Sequence, residues 1–160
     1  MSIVGEIRIA AYEAGGFMSA DSAYAPTLRD LGANGNGQVL VATVPALGAR
    51  QIVGTIMLQT WPDTGPVVAG PHEAEIRALA VSPLSQGTGI GRTLLQHALE
   101  RAGQLGVRHL VLCTEPAMRV AHRLYEQAGF VRLPERDWSP SPGTTLLVYG
   151  LKLDAKAQRT

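Results

Sequence analysis

The chain has 160 residues, with 14 Lys+Arg against 13 Asp+Glu and a formal net charge of +1. That length suits a single domain over residues 1–160 with a sizeable core, and 46% hydrophobic against 17% charged residues excludes a disordered chain. The lack of a basic tail or charge run argues against nucleic-acid binding by bulk electrostatics, the single cysteine, Cys113, excludes an internal disulfide and a multi-cysteine metal site, and the short apolar runs exclude a membrane-spanning helix.

In chain order, residues 1–16 mix acids with apolar residues and lack a basic leading stretch, unlike a secretory signal, so a reducing, cytoplasmic setting is expected. Residues 6–10 (EIRIA) alternate as a short first strand. Residues 12–31 read as one or two short helices, interrupted by Gly15-Gly16 and Pro26, with Asp21 or Ser22 as a cap. A turn cluster, 32–37 (GANGNG), ends that region. Residues 38–44 (QVLVATV) and 51–59 (QIVGTIMLQ), joined by PALGAR, predict a hairpin. A loop over 60–72 leads to a strand over 74–81 (AEIRALAV), stopped by Ser82-Pro83.

The strongest helix pattern covers 89–106, where Ile90, Leu94, Leu95, Ala98, Leu99, Ala102 and Leu105 recur at helical spacing and Gly106 is a C-terminal cap. Residues 108–114 (RHLVLCT) read as a strand buried on both faces. Pro116 suits the first turn of a following helix, with Met118, Ala121, Leu124, Tyr125 and Ala128 as its apolar face and Gly129 as its end. A short strand over 130–133, a proline-rich loop over 134–143 and a last strand over 144–153 complete the chain. The order predicts a mixed α/β sheet with helices on its faces.

Three of the 18 glycines fall within residues 87–91, in the loop between the strand over 74–81 and the helix over 89–106. Glycine lets the backbone bend freely and lets another group come close. The unpaired first N–H groups of a helix carry partial positive charge, so a glycine-rich turn at that point is a phosphate site made of backbone donors. Gly87, Gly89 and Gly91 give GxGxG and not the dinucleotide GxGxxG. Gly91-Arg92-Thr93 imitates the end of a Walker loop, but Gln86 replaces its first glycine and arginine its lysine. The pattern that fits is Gln/Arg-x-x-Gly-x-Gly/Ala, filled by Gln86, Gly89 and Gly91.

This loop resembles the acyl-CoA loop of the GNAT superfamily of N-acyltransferases. Leu79-Ala-Val-Ser-Pro83 before it and Leu124-Tyr-Glu-Gln-Ala-Gly-Phe130 after it stand at that family's spacing, and the resemblance spans nearly the whole chain. It implies a mixed, mostly antiparallel central sheet with helices on both faces and splayed strands at the CoA site. It further implies that backbone N–H groups of Gln86, Gly87, Thr88, Gly89, Ile90, Gly91 and Arg92 bind the pyrophosphate of acetyl-CoA. Leu79, Ala80 and Val81 would pair with the pantetheine arm as an edge strand accepts an added strand.

The implied reaction is acetyl transfer to a primary amine by direct attack in a ternary complex. An alkyl ammonium must first lose a proton, and the departing thiolate must gain one. Tyr125 matches the family's acid, although core packing is its other reading. Glu75 is the first candidate base, with Glu73 and His72 behind it and a water chain as a further route. Where the family often has an asparagine this chain has Met118, and His122 lies one turn before Tyr125. Acceptor pockets in the family implicate residues 12–31, 61–72 and 134–143, which hold Trp61, Trp138 and the cluster Glu135, Arg136 and Asp137. The acceptor amine is unidentified, no metal is expected, and dimers are common in similar proteins, the last strand offering an edge. The competing readings are a non-catalytic acyl-CoA-binding module or sensor and an unrelated nucleotide-binding α/β protein.

Overall fold

The computed structural model describes residues 2–15, 25–33, 35 and 37–153. They form two compact units, one of the described residues up to 58 together with 78–98, the other of 59–77 together with 99–153.

The first unit opens with α1 (Ser2–Ala14), a helix where the alternation of residues 6–10 predicts a strand. Five alternating residues are a short signal. Over thirteen, the buried positions Val4, Ile7 and Arg8 follow helical spacing, and the longer period wins. Arg8 is fully buried, and its Nη1 donates to the carbonyls of Leu28 at 3.1 Å and Leu31 at 2.7 Å. A cation thus meets the C-terminal end of α2 (Ala25–Asp30), where the helix dipole favours it. Pro26 sits inside the first turn of α2, where its missing N–H costs nothing. The expected caps Asp21 and Ser22 lie outside the described residues. Ile9, Ala25 and Leu28 form the local core, with Tyr12 and Ala78 packed against them.

The predicted hairpin is present and longer than expected. β1 (Gln38–Ala46) and β2 (Ala49–Thr60) pair antiparallel down to Ala46↔Ala49, with a register shift at Ala42/Thr43. The tight turn is Leu47-Gly48, with Gly48 at a left-handed φ of 72°.

β3 (Glu73–Val81) and α3 (Ile90–Gln104) each have residues in both units. Leu94, Leu95, Ala98 and Ala102 of α3 are buried as the pattern predicts, whereas Leu105 is exposed. Gly106 adopts a φ of 79°, and the Val107 N–H reaches back to the Ala102 carbonyl at 3.0 Å, which closes the helix end.

In the second unit β4 (His109–Thr114) runs parallel to β3 from Glu73↔His109 to Ile76↔Leu112. α4 (Arg119–Gln127) starts three residues after Pro116, which lies in a turn before the helix and not in its first turn. β5 (Val131–Arg132) follows. Part of the predicted 134–143 loop is a strand, β6 (Trp138–Ser141), paired with β7 (Thr144–Lys152). β7 is flanked by β4 on one side and by β5 and β6 on the other, so it is not the free edge the sequence suggests for a dimer. Val67, Val68, Val111 and Val148 form this unit's core, covered by Cys113, Leu133 and Trp138.

The strand order is β1-β2-β3-β4-β7-β5, with β6 on β7. The fold is therefore mixed α/β with a seven-stranded, mostly antiparallel sheet, as expected.

Candidate active site

The glycine loop lies between β3 and α3. Gly87 and Gly89 adopt φ of 79° and 85°, the region that disfavours any side chain, and a Cβ at either would meet no atom within 4 Å. The glycines are therefore required by backbone shape, and the space beside them is open to a ligand. Gln86, Gly87, Thr88, Gly89 and Arg92 are exposed, and Ile90 and Gly91 half-buried. The loop is held by its own side chains: Thr88 Oγ1 donates to the Ser85 carbonyl at 2.6 Å and Thr93 Oγ1 to the Gly89 carbonyl at 3.0 Å. At the start of α3 the Thr93 N–H donates to the Gly89 carbonyl at 3.1 Å, and a helix leaves the N–H groups ahead of its first such bond without an intrahelical acceptor. The loop thus leaves open space beside Gly87 and Gly89 at the start of α3.

The strand before the loop carries a kink at a residue the sequence does not single out. Ala78 adopts a φ of 55°, strained for a residue with a Cβ, and the β3–β4 ladder stops two residues earlier, at Ile76. Ala80 is buried, and Leu79 and Val81 are half-buried. The Val81 carbonyl already accepts Gln86 Nε2 at 3.1 Å, and the Ser82 N–H is taken by the Val53 carbonyl at 2.7 Å.

Tyr125 lies in the last turn of α4, 7% exposed, with the rings of Phe130 and Tyr149 at 5.9 and 6.1 Å. That aromatic packing serves the core and also fixes the ring. Burial, with Glu126 nearby, pushes the Tyr149 hydroxyl up from its ordinary value. His122 is half-buried, its ring 5.6 Å from that of Tyr149, and its Nε2–H donates to the Glu115 carbonyl at 3.0 Å. Met118 stands at the start of α4, where Thr114 Oγ1 meets its sulfur at 3.6 Å, a packing role.

The two carboxylates of β3 differ sharply. Glu73 is closed by ion pairs: Arg136 donates to both its oxygens at 2.7 and 3.0 Å, His109 Nδ1 lies 2.5 Å from Oε2, and the Ala69 N–H donates to Oε1 at 2.8 Å. Burial alone would push Glu73 up, but these donors, Arg136 foremost, bring it to about 2. A carboxylate that weakly basic is a structural anchor and a poor base. Glu75 is buried too, but it accepts the Gly65 N–H at 2.8 Å, with Arg77 Nε 4.0 Å away. Burial pushes it above the ordinary carboxylate value, against the Gly65 bond and Arg77, the direction a base needs. His72 is exposed, and its carbonyl accepts the N–H groups of Arg108 and His109.

Of the expected acceptor segments, Trp61 is 47% exposed. In the cluster at 135–137, Arg136 and Asp137 are occupied with the fold and Glu135 is exposed. Arg136 holds Glu73 and also the Val67 carbonyl, and Asp137 receives both Nη atoms of Arg132 at 2.8 and 2.7 Å and the Val148 N–H. Trp138 Nε1 points at the Cys113 sulfur at 3.3 Å. Burial pushes the Cys113 thiol up, which keeps it neutral. Sequence reasoning missed Gly65, Gln59 and Arg77 around Glu75; the only signal was that 73, 75 and 77 share one face of a strand.

Residues 7–130 match the acetyltransferase (GNAT) family. The chain belongs to that family. Glu75, residues 79–81, the loop at 86–92 and Tyr125 all lie within the GNAT match, while the segment 134–143 lies beyond it. A mycothiol acetyltransferase of Cellulomonas flavigena is 31% identical over 106 residues, covering 61% of this chain and 30% of that protein. Among solved structures, a GNAT-family acetyltransferase of Staphylococcus aureus superposes with a TM-score of 0.72 at 18% identity, over 95% of this chain and 92% of that one. PaiA N-acetyltransferase of Thermoplasma acidophilum, in complex with coenzyme A, does so at 0.65 and 17% identity, over 94% and 91%. These structural likenesses carry the GNAT fold. The chain spans a third or less of the length of the curated relatives it matches. Among the described residues no helix is long and apolar enough to cross a membrane.

Proposed function

We propose that this chain is an N-acetyltransferase that moves an acetyl group from acetyl-CoA to a primary amine of a small molecule, peptide or protein, with residues 1–160 acting as one domain. The observation that carries the reading is the glycine loop: Gly87 and Gly89 hold left-handed backbone over open space at the start of α3, which suits a pyrophosphate and excludes side chains. Acetyl-CoA supplies the acyl group as a thioester. Backbone groups of residues 79–81 and 86–92 hold the donor, Ala80 and Leu79 in preference to the engaged Val81 carbonyl. Glu75 takes the ammonium proton, the amine attacks directly, and Tyr125 gives its phenolic proton to the departing sulfur. The lone cysteine supports a cytoplasmic setting.

The test is acetyl-CoA consumption over a panel of amines by the wild type, Tyr125→Phe and Glu75→Gln. Each variant should lose about 10²-fold in kcat, the usual size of one acid–base contribution. Equal rates in Tyr125→Phe would remove Tyr125 as the acid. Tight CoA binding without turnover on any amine would favour a binding module, a reading the buried packing of Tyr125 against Phe130 and Tyr149 also allows.

A further inference from the structure

The two oxygens of Glu75 meet different partners. Oε1 accepts the Gly65 N–H at 2.8 Å. A Cβ at Gly65 would stand 3.1 Å from Oε1, tighter than an ordinary contact, so a side chain there would press on the carboxylate. Oε2 stands 4.0 Å from Arg77 Nε, close enough for attraction and too far for a hydrogen bond. Glu75 and Arg77 share one face of β3, and Arg77 is itself fixed, because its Nη1 donates to Oε1 of the buried Gln59 at 3.2 Å. The chain of contacts is Gln59, Arg77, Glu75, Gly65.

Other charged groups around this carboxylate are accounted for. On β3, Glu73 is closed by Arg136, His109 and the Ala69 N–H. On β4, the Cys113 thiol lies in the field of Glu75, Arg77 and Arg136 and stays neutral through burial. Arg136 directs its charge to Glu73. Arg77 is thus the cation facing Glu75.

Resting on the reading of Glu75 as the base, we propose that Arg77 is its positioning residue: held by Gln59, it faces Oε2 as a counter-charge, while the Gly65 N–H fixes Oε1 and leaves Oε2 as the oxygen that takes the proton. Burial of a carboxylate favours its neutral form, which is useless as a base. A cation at this distance offsets part of that cost, so the carboxyl stays raised but within reach of its charged form, without a direct bond to the reactive oxygen.

The experiment has two readouts on Arg77→Met, Arg77→Lys and Gln59→Leu, each checked for an unchanged far-UV spectrum. The first needs no acceptor: the Glu75 carboxyl carbon is titrated by 13C NMR, its signal assigned with Glu75→Gln. Arg77→Met should move the midpoint up by about one pH unit, the low end of the effect of a lost opposite charge, Gln59→Leu should move it less in the same direction, and Arg77→Lys should restore most of it. The second is the pH profile of kcat/KM with acetyl-CoA and the best amine of the panel. Its acid limb should follow the same shift, a roughly tenfold loss below the limb, with KM for acetyl-CoA unchanged. A midpoint unmoved in Arg77→Met overturns the proposal whether or not Glu75 is the base. Full activity in Glu75→Gln removes the base reading and with it the role of Oε2. A midpoint that moves while the acid limb does not overturns the link between Arg77 and catalysis.

Discussion

Residues 86–92 and the segment 134–143 both read in the sequence as places for a ligand, one through glycines and the other through the charges and the tryptophan at 135–138. In the folded chain the glycine loop is mostly exposed, with open space beside Gly87 and Gly89. The charged segment is engaged internally: Arg136 with Glu73 and Val67, Asp137 with Arg132 and Val148, Trp138 with Cys113. Charge in a sequence marks a group that must find a partner, and here the partners are in the fold. Gly48 and Gly106 also hold positive φ with no atom near a Cβ and only turn the chain, so what sets residues 86–92 apart is that two such glycines stand directly before α3 and its N-terminal backbone donors.

The largest effect that tests this contrast is Arg136→Ala. It leaves the Glu73 carboxylate, 3% exposed, without its two-point partner. Removing one member of a buried pair costs about 3 kcal/mol, read as a fall in denaturant-unfolding free energy, with acetyl-CoA affinity nearly unchanged. The pH dependence has a definite sign. Glu73 falls from 4.5 to about 2 in the folded chain, so its stabilisation is complete above about 4.5 and is lost as the pH drops toward 2. Glu73→Gln should flatten stability over that window. A variant as stable as the wild type would show that the segment is free for other work after all.

Gly89→Ala comes next and acts on the other segment. No atom lies in the way of the new methyl group, so the cost is conformational, about 1–2 kcal/mol for a left-handed residue with a Cβ. Calorimetry with acetyl-CoA should show affinity reduced about tenfold, with the fold otherwise intact. Unchanged affinity would mean that the loop's shape does not matter to binding. Asp137→Asn should follow at about 1 kcal/mol of stability, since the amide keeps one acceptor for the Val148 N–H but loses the charged two-point contact with Arg132.

The legible part of the chain is the part governed by local pattern. The hairpin, α3 with its Gly106 cap, β4 and the glycine loop follow from β-branched runs, helical spacing and turn chemistry. Residues 6–10 misled because five alternating residues fit a strand while thirteen fit α1, a helix tied down by a buried arginine. β6 was hidden because Trp138–Ser141 lies in a proline-rich stretch that reads as a loop, although its partner β7 follows across a two-residue turn. In the site, Tyr125 and Glu75 were found as candidates, but the difference between Glu73 and Glu75 was not readable. It depends on Arg136, 63 residues further on, reaching one carboxylate and not the other.

The smallest effect belongs to Glu135→Ala, and it sharpens the contrast most cleanly. Glu135 sits between the engaged Arg136 and Pro134 and is exposed, and it touches the site's electrostatics only as a distant charge on Arg132 and Arg136. Its removal should change stability by no more than about 0.5 kcal/mol, as for other surface positions, and leave acetyl-CoA binding alone. Glu135 is also the acid in this cluster whose carboxylate faces solvent, so an amine acceptor that uses the segment electrostatically must use it. A rise in KM for the amine in Glu135→Ala, with kcat and stability unchanged, would return the 134–138 segment to the acceptor side. An unchanged KM would confine its charges to holding β3 and β7 in place.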